Sequence, residues 1–429
     1  MTHKADDNER VLITGMGFVL PGATGKDAVW RTLSAGESQI RVLPVQFANR
    51  PGTARAVGAR VSEFNHHEHL PDLPSGHAKR YSREILMVLA AVEQAWADAG
   101  LTRAGKDVNP DRIGLLGSCS RGPIEWWAGP TVAADPAYPR LDVDHAIFAS
   151  LPGTPATLSA IRLGARGMVT TFSNACVGGH QALGYARDLL LAGKADVIVV
   201  VGYETPFVPE MLQLYSSPTS DVLSRAEGDP RATIKPYDRH RDGFAFGEGA
   251  VALVLEAGES ARRRSGTAYA EVGPVVSINE AAHATRMDLT GKTTADMMRR
   301  AVEEAGIPAA EIGYVCGHGT ATRYNDLAES RAMRLVFPDG RGRGAPPLGS
   351  IKPVFGHLLG ASGVLNCAAT ALMLSRQQLV PTINCVDVDP ECDHDHVVEG
   401  TRSVSMTHAM SLSFAIGSQS SAAVLGVAA

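Results

Sequence analysis

Two rhythms of apolar residues alternate along this chain. From Arg83 to Gly100, Ile85, Leu86, Val88, Leu89, Val92, Ala95 and Trp96 recur on one side, which predicts a buried helix stopped by a glycine. Asp196-Val197-Ile198-Val199-Val200-Val201 and Ala250-Val251-Ala252-Leu253-Val254-Leu255 show no alternation, as expected of strands covered on both faces. Arg112 to Gly117 is a shorter run of the same kind. Val11 to Thr14 predicts a first strand that ends in a tight turn at Gly15-Met16-Gly17. That turn does not suit a dinucleotide, because no glycine follows at the required place and Pro21 interrupts the helix such a loop needs.

The second half repeats this grammar. It predicts a strand over 268–276, a helix over 294–305, a strand over 313–316, helices over 327–335 and 360–374, and closing strands over 410–414 and 422–427. Two β/α sets of similar length, each ending in paired apolar strands, imply an internal duplication without a residue-level repeat. At 429 residues the chain is too long for one ordinary core. The polar stretch Ser260 to Gly266 is the predicted crossing, giving halves 1–257 and 258–429.

Composition narrows the class. With 45% hydrophobic and 20% charged residues and a net charge of −5, nothing pulls the whole molecule toward nucleic acid or anionic membrane. No run of about 18 apolar residues is present, and the polar N-terminus lacks a signal's apolar core, so a soluble cytoplasmic protein is expected. The six cysteines are scattered without CxxC pairs, which excludes a disulfide framework and predicts packing roles for all but one.

The exception is Cys176. The run Val169-Thr170-Thr171-Phe172-Ser173-Asn174-Ala175-Cys176-Val177-Gly178-Gly179 passes from a strand-like stretch into small residues, and then Ala182, Leu183, Ala186, Leu189 and Leu190 take up helical spacing. A thiol at a helix start faces unpaired N–H groups, which favour thiolate and stabilise an oxyanion. Two further segments place histidines among glycines: Gly317-His318-Gly319-Thr320-Ala321-Thr322 and Ile351-Lys352-Pro353-Val354-Phe355-Gly356-His357. A thiol nucleophile with two histidine N–H donors suits acyl transfer through a thioester, followed by attack of a carbon nucleophile. Lys352, in an apolar setting, calls for a carboxylate such as Glu329 or Asp326. His180, one helical turn beyond Cys176, reads as helix packing. The runs His66-His67-Glu68-His69 and Asp393-His394-Asp395-His396 lack metal-ligand spacing, so no metal is expected.

Asn174-Ala175-Cys176, the stretch from Pro236 to Ala250, the His318-to-Thr322 box and the Lys352-to-His357 box together resemble the β-ketoacyl-acyl carrier protein synthases of the thiolase superfamily. The resemblance spans nearly the whole chain and is nearest to condensing enzymes with a Cys-His-His set; initiating synthases normally carry asparagine where His357 falls. It implies a thiolase-like α/β fold, with duplicated βαβαβαββ halves in αβαβα layers. It also implies decarboxylative condensation of a Cys176-bound acyl chain with malonyl-acyl carrier protein, without metal or dissociable cofactor. By matching motif, His318 and His357 would support decarboxylation and hold the enolate. Lys352 and Glu329 would form a charge pair, and the amides of Cys176 and Ile416 an oxyanion hole. Phe414 and Ile416 would sit at the gate, and Thr320, Thr322 and Thr285 would hold the pantetheine arm.

The expected partners are acyl carrier protein and a dimer mate, either a second copy or a chain-length-factor-like subunit. Lys79, Arg80 and Arg83 are the candidate basic docking surface. Departures from the elongating pattern are the gate, Ala415-Ile416-Gly417-Ser418 where Gly-Phe-Gly-Gly is usual, Asn174 where threonine is common, and the small polar pair Cys119-Ser120 near the acyl pocket. Thr322-Arg323-Tyr324-Asn325-Asp326 and Ser420-Ser421-Ala422 are more similar to type II polyketide α subunits than to housekeeping fatty acid synthases. The remaining alternatives are fatty acid elongation, a noncatalytic partner subunit and a nondecarboxylating thiolase.

Overall fold

The computed structural model describes residues 10–428 apart from 45–46, 48–55, 104–107, 129–146, 218–219, 221, 226–227, 282, 285–286 and 339–343. Ten strands carry the architecture: β1 (Val11–Leu20), β2 (Ile113–Ser118), β3 (Val169–Phe172), β4 (Val197–Glu204), β5 (Gly249–Ala257), β6 (Ala270–Asn279), β7 (Ile312–Cys316), β8 (Leu348–Gly349), β9 (His408–Ala415) and β10 (Gln419–Gly426). Six helices connect them: α1 (Arg83–Asp98), α2 (Thr154–Leu163), α3 (Gly178–Leu191), α4 (Lys292–Glu304), α5 (Arg323–Val336) and α6 (Ser362–Arg376).

In each half these elements follow one another as βαβαβαββ. The strand order is β1-β5-β4-β2-β3 in the first half and β6-β10-β9-β7-β8 in the second, and a short β1–β6 pairing joins the two sets. Directions repeat as well: β1–β5 and β5–β4 are antiparallel and β4–β2 and β2–β3 parallel, as are β6–β10, β10–β9, β9–β7 and β7–β8 in turn. The duplication therefore lives in topology, where side-chain identity has drifted but pairing has not.

Burial explains the layers. Val197 to Glu204 and Gly249 to Glu256 are buried at every position, as strands with a covered face on each side must be. α1 and α2 cover the outer face of the first sheet, α4 and α5 that of the second, and α3 and α6 lie between, giving αβαβα. The central layer holds the largest core, in which Ala182, Leu183 and Ala186 meet Val364, Ala368 and Leu372.

One expected boundary is wrong. Gly15 and Gly17 form no turn; β1 continues through them, with a shift of its register against β5 between Ile13 and Gly15. A Cβ there would stand 2.1 Å from the Ala95 carbonyl oxygen and 1.9 Å from that of Ala91, so these glycines let α1 lie directly on the strand. A second expectation fails at one of its three residues. Arg83 is buried and donates to Glu248 (Nη1 to Oε2, 2.9 Å) and to the Val61 carbonyl, so it offers no surface charge; Lys79 is exposed and Arg80 half-buried. Among the described residues no helix is long and apolar enough to cross a membrane.

Candidate active site

Cys176 sits in the β3–α3 connection and His357 in the β8–α6 connection, so the repeat brings the same step of each half to one place. Cys176, a partly exposed residue, lies in a short 3-10 turn, Ala175–Val177, immediately before α3. Ala175 has φ +47°, a backbone region that costs an alanine about 1–3 kcal/mol and is held by its surroundings. Ser413 on β9 donates to the Cys176 carbonyl oxygen (2.7 Å), and Asn174 exchanges two amide hydrogen bonds with Gln419 (2.6 and 2.7 Å), which ties the turn to the β9–β10 end of the other half.

Cys176 Sγ lies 3.3 Å from His357 Nε2, and the ring centroids of His318 and His357 are 5.2 Å apart. Sulfur and one nitrogen of each ring all fall within 4.8 Å of one another. The remaining contacts decide where the ring protons are. At His357, Nδ1 receives the Leu359 N–H (3.2 Å) and the Ser362 hydroxyl (2.8 Å); an amide only donates, so Nδ1 accepts and the proton sits on Nε2, facing the sulfur. At His318, Nδ1 faces the Lys352 ammonium (3.4 Å), which also donates to the His318 carbonyl oxygen, so Nδ1 again accepts. Neither ring then turns a free lone pair toward the sulfur, so this trio fits a pair of N–H donors better than a metal site.

Charge reinforces that reading. Burial, with Lys352 nearby, holds both histidines well below the ordinary imidazole range, so they remain neutral donors. Burial also pushes the Cys176 thiol up to about 12, against the pull of Lys352 and Arg121. Desolvation, the largest influence on this thiol, works against the helix start, which favours thiolate. Lys352 is itself lowered by burial.

Glu329 is placed differently from the charge pair that its motif implied. Among the described residues no direct ion pair links it to Lys352. Its oxygens accept the His318 N–H (2.6 Å), the Gly319 N–H (3.0 Å) and the Tyr237 hydroxyl (2.8 Å), while it acts on Lys352 through charge alone. Thr320 and Thr322 share a hydroxyl contact of 2.8 Å, while Thr285 lies outside the described residues. Phe414 packs edge-on against His318 with centroids 5.6 Å apart, and Ile416, just beyond β9, has a side chain that is 54% exposed.

Among the described residues, the other histidines that the sequence singled out are not gathered to this site. His66–His69 form a short surface helix; His394 Nε2 contacts the Ser330 carbonyl (3.1 Å), and His396 contacts those of Leu348 (2.7 Å) and Cys392 (2.8 Å). His180 is buried against Ser411 (3.0 Å). The five remaining cysteines are free and buried. Sequence reasoning passed over Ser362, Tyr237 and Glu204. Glu204 accepts the amides of Ser120 (2.8 Å) and Gly360 (2.9 Å), which pins the β8–α6 connection to the end of β2.

A thiol paired with two neutral imidazole donors, on a duplicated thiolase-like frame, defines an acyl-transferring condensing enzyme. The comparisons with known proteins agree: residues 8–261 match the β-ketoacyl synthase N-terminal domain and residues 269–386 the C-terminal domain. The chain belongs to the β-ketoacyl synthase family. It is 33% identical over 438 residues to the tetracenomycin polyketide synthase ketoacyl synthase alpha subunit of Streptomyces glaucescens, covering 99% of this chain and 98% of that protein. It is also similar to a type II PKS ketosynthase solved bound to the hexaketide in complex with its acyl-carrier protein (TM-score 0.84, 27% identity, 98% and 99% coverage). The ishigamide ketosynthase/chain length factor is a further structural relative (TM-score 0.84, 26% identity, 98% and 99% coverage).

Proposed function

We propose that this chain elongates an acyl group on Cys176 by decarboxylative condensation with malonyl-acyl carrier protein, in polyketide assembly. The observation that carries the reading is the gathering of Cys176 sulfur and both imidazoles within 4.8 Å from opposite halves of the duplication. In the first step sulfur attacks the incoming thioester, and the Cys176 proton leaves with the departing carrier thiol. That exchange needs a thiolate only in passing, which suits a thiol of raised pKa beside an N–H donor.

In the second step the malonyl carboxylate leaves as CO2, and the electron pair becomes an enolate whose oxygen accepts the N–H groups of His318 and His357. The enolate carbon then attacks the Cys176 thioester, and the released sulfur takes up one proton. Donors aimed at developing charge in a buried site lower this barrier without a strong base. The amides of Cys176 and Ile416 serve the tetrahedral oxyanion. Thr320 and Thr322 line the pantetheine path, and the division near residue 258 separates nucleophile from donors.

The partners follow from the same reading. The phosphopantetheine arm of an acyl carrier protein delivers both substrates, so no further cofactor enters. β3 is the edge strand of the first sheet, with Met168 and Ile161 exposed beside it, and it supports a dimer with a second copy or a chain-length-factor-like subunit. Cys176 at the nucleophile turn argues against a noncatalytic partner role. The test is to load the protein from an acyl-carrier protein and locate the adduct by mass spectrometry, then add malonyl-carrier protein and measure CO2. An adduct on Cys176 that disappears with matching CO2 release is expected; turnover without that adduct contradicts the proposal, and condensation without CO2 favours a thiolase.

A further inference from the structure

The Tyr237 phenol is buried, polar and fixed on every side. Its φ is +62°, its N–H donates to Asp326 (2.9 Å), its carbonyl accepts the Asp389 N–H (2.9 Å), and its ring stacks on His396 with centroids 4.4 Å apart and planes 8° from parallel. A tyrosine held in the left-handed region is held by its packing. The result is aim, because the hydroxyl donates to Glu329, the carboxylate that also accepts the amides of His318 and Gly319.

The glycines of that turn make room for it. A Cβ at Gly317 would stand 2.2 Å from the Tyr237 hydroxyl oxygen, and one at Gly319 2.8 Å from it. Both are closer than real Cβ contacts allow, so the glycine-rich setting of His318 is in part a socket for this phenol.

We propose that Tyr237 is a positioning residue for His318: its hydroxyl holds the Glu329 carboxyl group in place and so fixes the turn that aims the His318 ring at the reacting atoms. This rests on the proposed role of His318 in holding the enolate. If packing were its whole role, a phenylalanine of the same shape would serve equally well.

The charges around Glu329 set the direction of the effect. Burial, followed by Asp326 on the same helix, pushes the Glu329 carboxyl up to about 7, while the two amides and the phenol pull it down. Lys352 faces it from the β8–α6 connection and favours its ionised form. Tyr314 and Cys316 face it from β7; both are raised by burial and hold their protons, so they add no charge. Tyr237 is raised far above its ordinary value and stays a donor throughout. Deleting the hydroxyl therefore raises the Glu329 pKa further. The acid limb of the decarboxylation profile then moves to higher pH.

The experiment is CO2 release from malonyl-carrier protein against pH for the full protein and for Tyr237→Phe. The limb is expected to move up by about one pH unit, with several-fold lower kcat at neutral pH, unchanged KM and unchanged acylation of Cys176. In a Glu329→Gln background the same substitution is expected to shift nothing. An unmoved limb in folded Tyr237→Phe, or an equal shift without the carboxylate, overturns the proposal. A second arm does not depend on the Glu329 variant folding: Gly317→Ala lowers Tm less in Tyr237→Phe than in the unmodified protein, and equal losses refute the socket. Absence of CO2 release from the unmodified protein at every pH counts instead against the condensing function.

Discussion

The β3–α3 and β8–α6 connections occupy equivalent steps of one repeat, yet they are built for opposite ends. The first holds a partly exposed cysteine that follows the strained Ala175 and whose carbonyl oxygen accepts from Ser413. The second holds an imidazole that is buried and gripped at Nδ1 by both Leu359 and Ser362. A nucleophile must form and break a bond, and its sulfur meets the Nε2 proton of His357 at 3.3 Å. A donor must present one proton in one direction, so its far side is fixed. Duplication supplied two facing turns, and different hydrogen bonding gave them different work.

Substitutions separate the two turns. Cys176→Ala removes the only group that carries the chain, and condensation falls by at least ~10³ with no acyl adduct; residual turnover near the unmodified level would erase the distinction. His318→Ala and His357→Ala each cost about 10²–10³ in CO2 release, yet His318→Ala still acylates Cys176, read by intact-protein mass spectrometry. Equal loss of both steps in His318→Ala breaks the division between nucleophile and donor. Ser362→Ala leaves the His357 ring in place but removes one of two groups fixing its proton, so condensation falls about tenfold with little change in acylation.

The smallest effect concerns a buried carboxylate of the first half. Burial, followed by Glu204, pushes Glu84 up to about 8 from an ordinary 4.5, against the hydrogen bond from Thr205 (2.9 Å). A carboxyl raised in the folded state contributes stability fully present below the unfolded pKa and lost as pH rises through the folded one. Glu84→Gln abolishes this loss. Its Tm therefore gains on the unmodified protein between pH 4.5 and 8 and stays level above; a constant difference contradicts the assigned burial.

Much of this was legible in the chain because it is local. Unbroken apolar runs gave β4 and β5, and the Ile85-to-Trp96 pattern gave α1 within a residue or two. Cys176, His318 and His357 stood out through their small, glycine-rich neighbours. α2 was not predicted, since Thr154–Leu163 begins Thr-Pro-Ala-Thr with little periodic contrast. Long-range partners hid the rest. Gly15 and Gly17 imply a turn until α1 is laid on them, and Arg83 reads as surface until Glu248, 165 residues away, is brought to it. The Glu329 acceptor site joins Tyr237, 92 residues before it, to His318, 11 residues before it, which no periodicity records.

The assignment of His357 as a donor is open to direct observation by ¹⁵N NMR of the labelled, unacylated protein at neutral pH. A neutral ring with its proton on Nε2 and a bare Nδ1, unchanged when Cys176 is alkylated, is the predicted result. A proton on Nδ1, or an imidazolium paired with a Cys176 thiolate, would contradict it and make His357 a base.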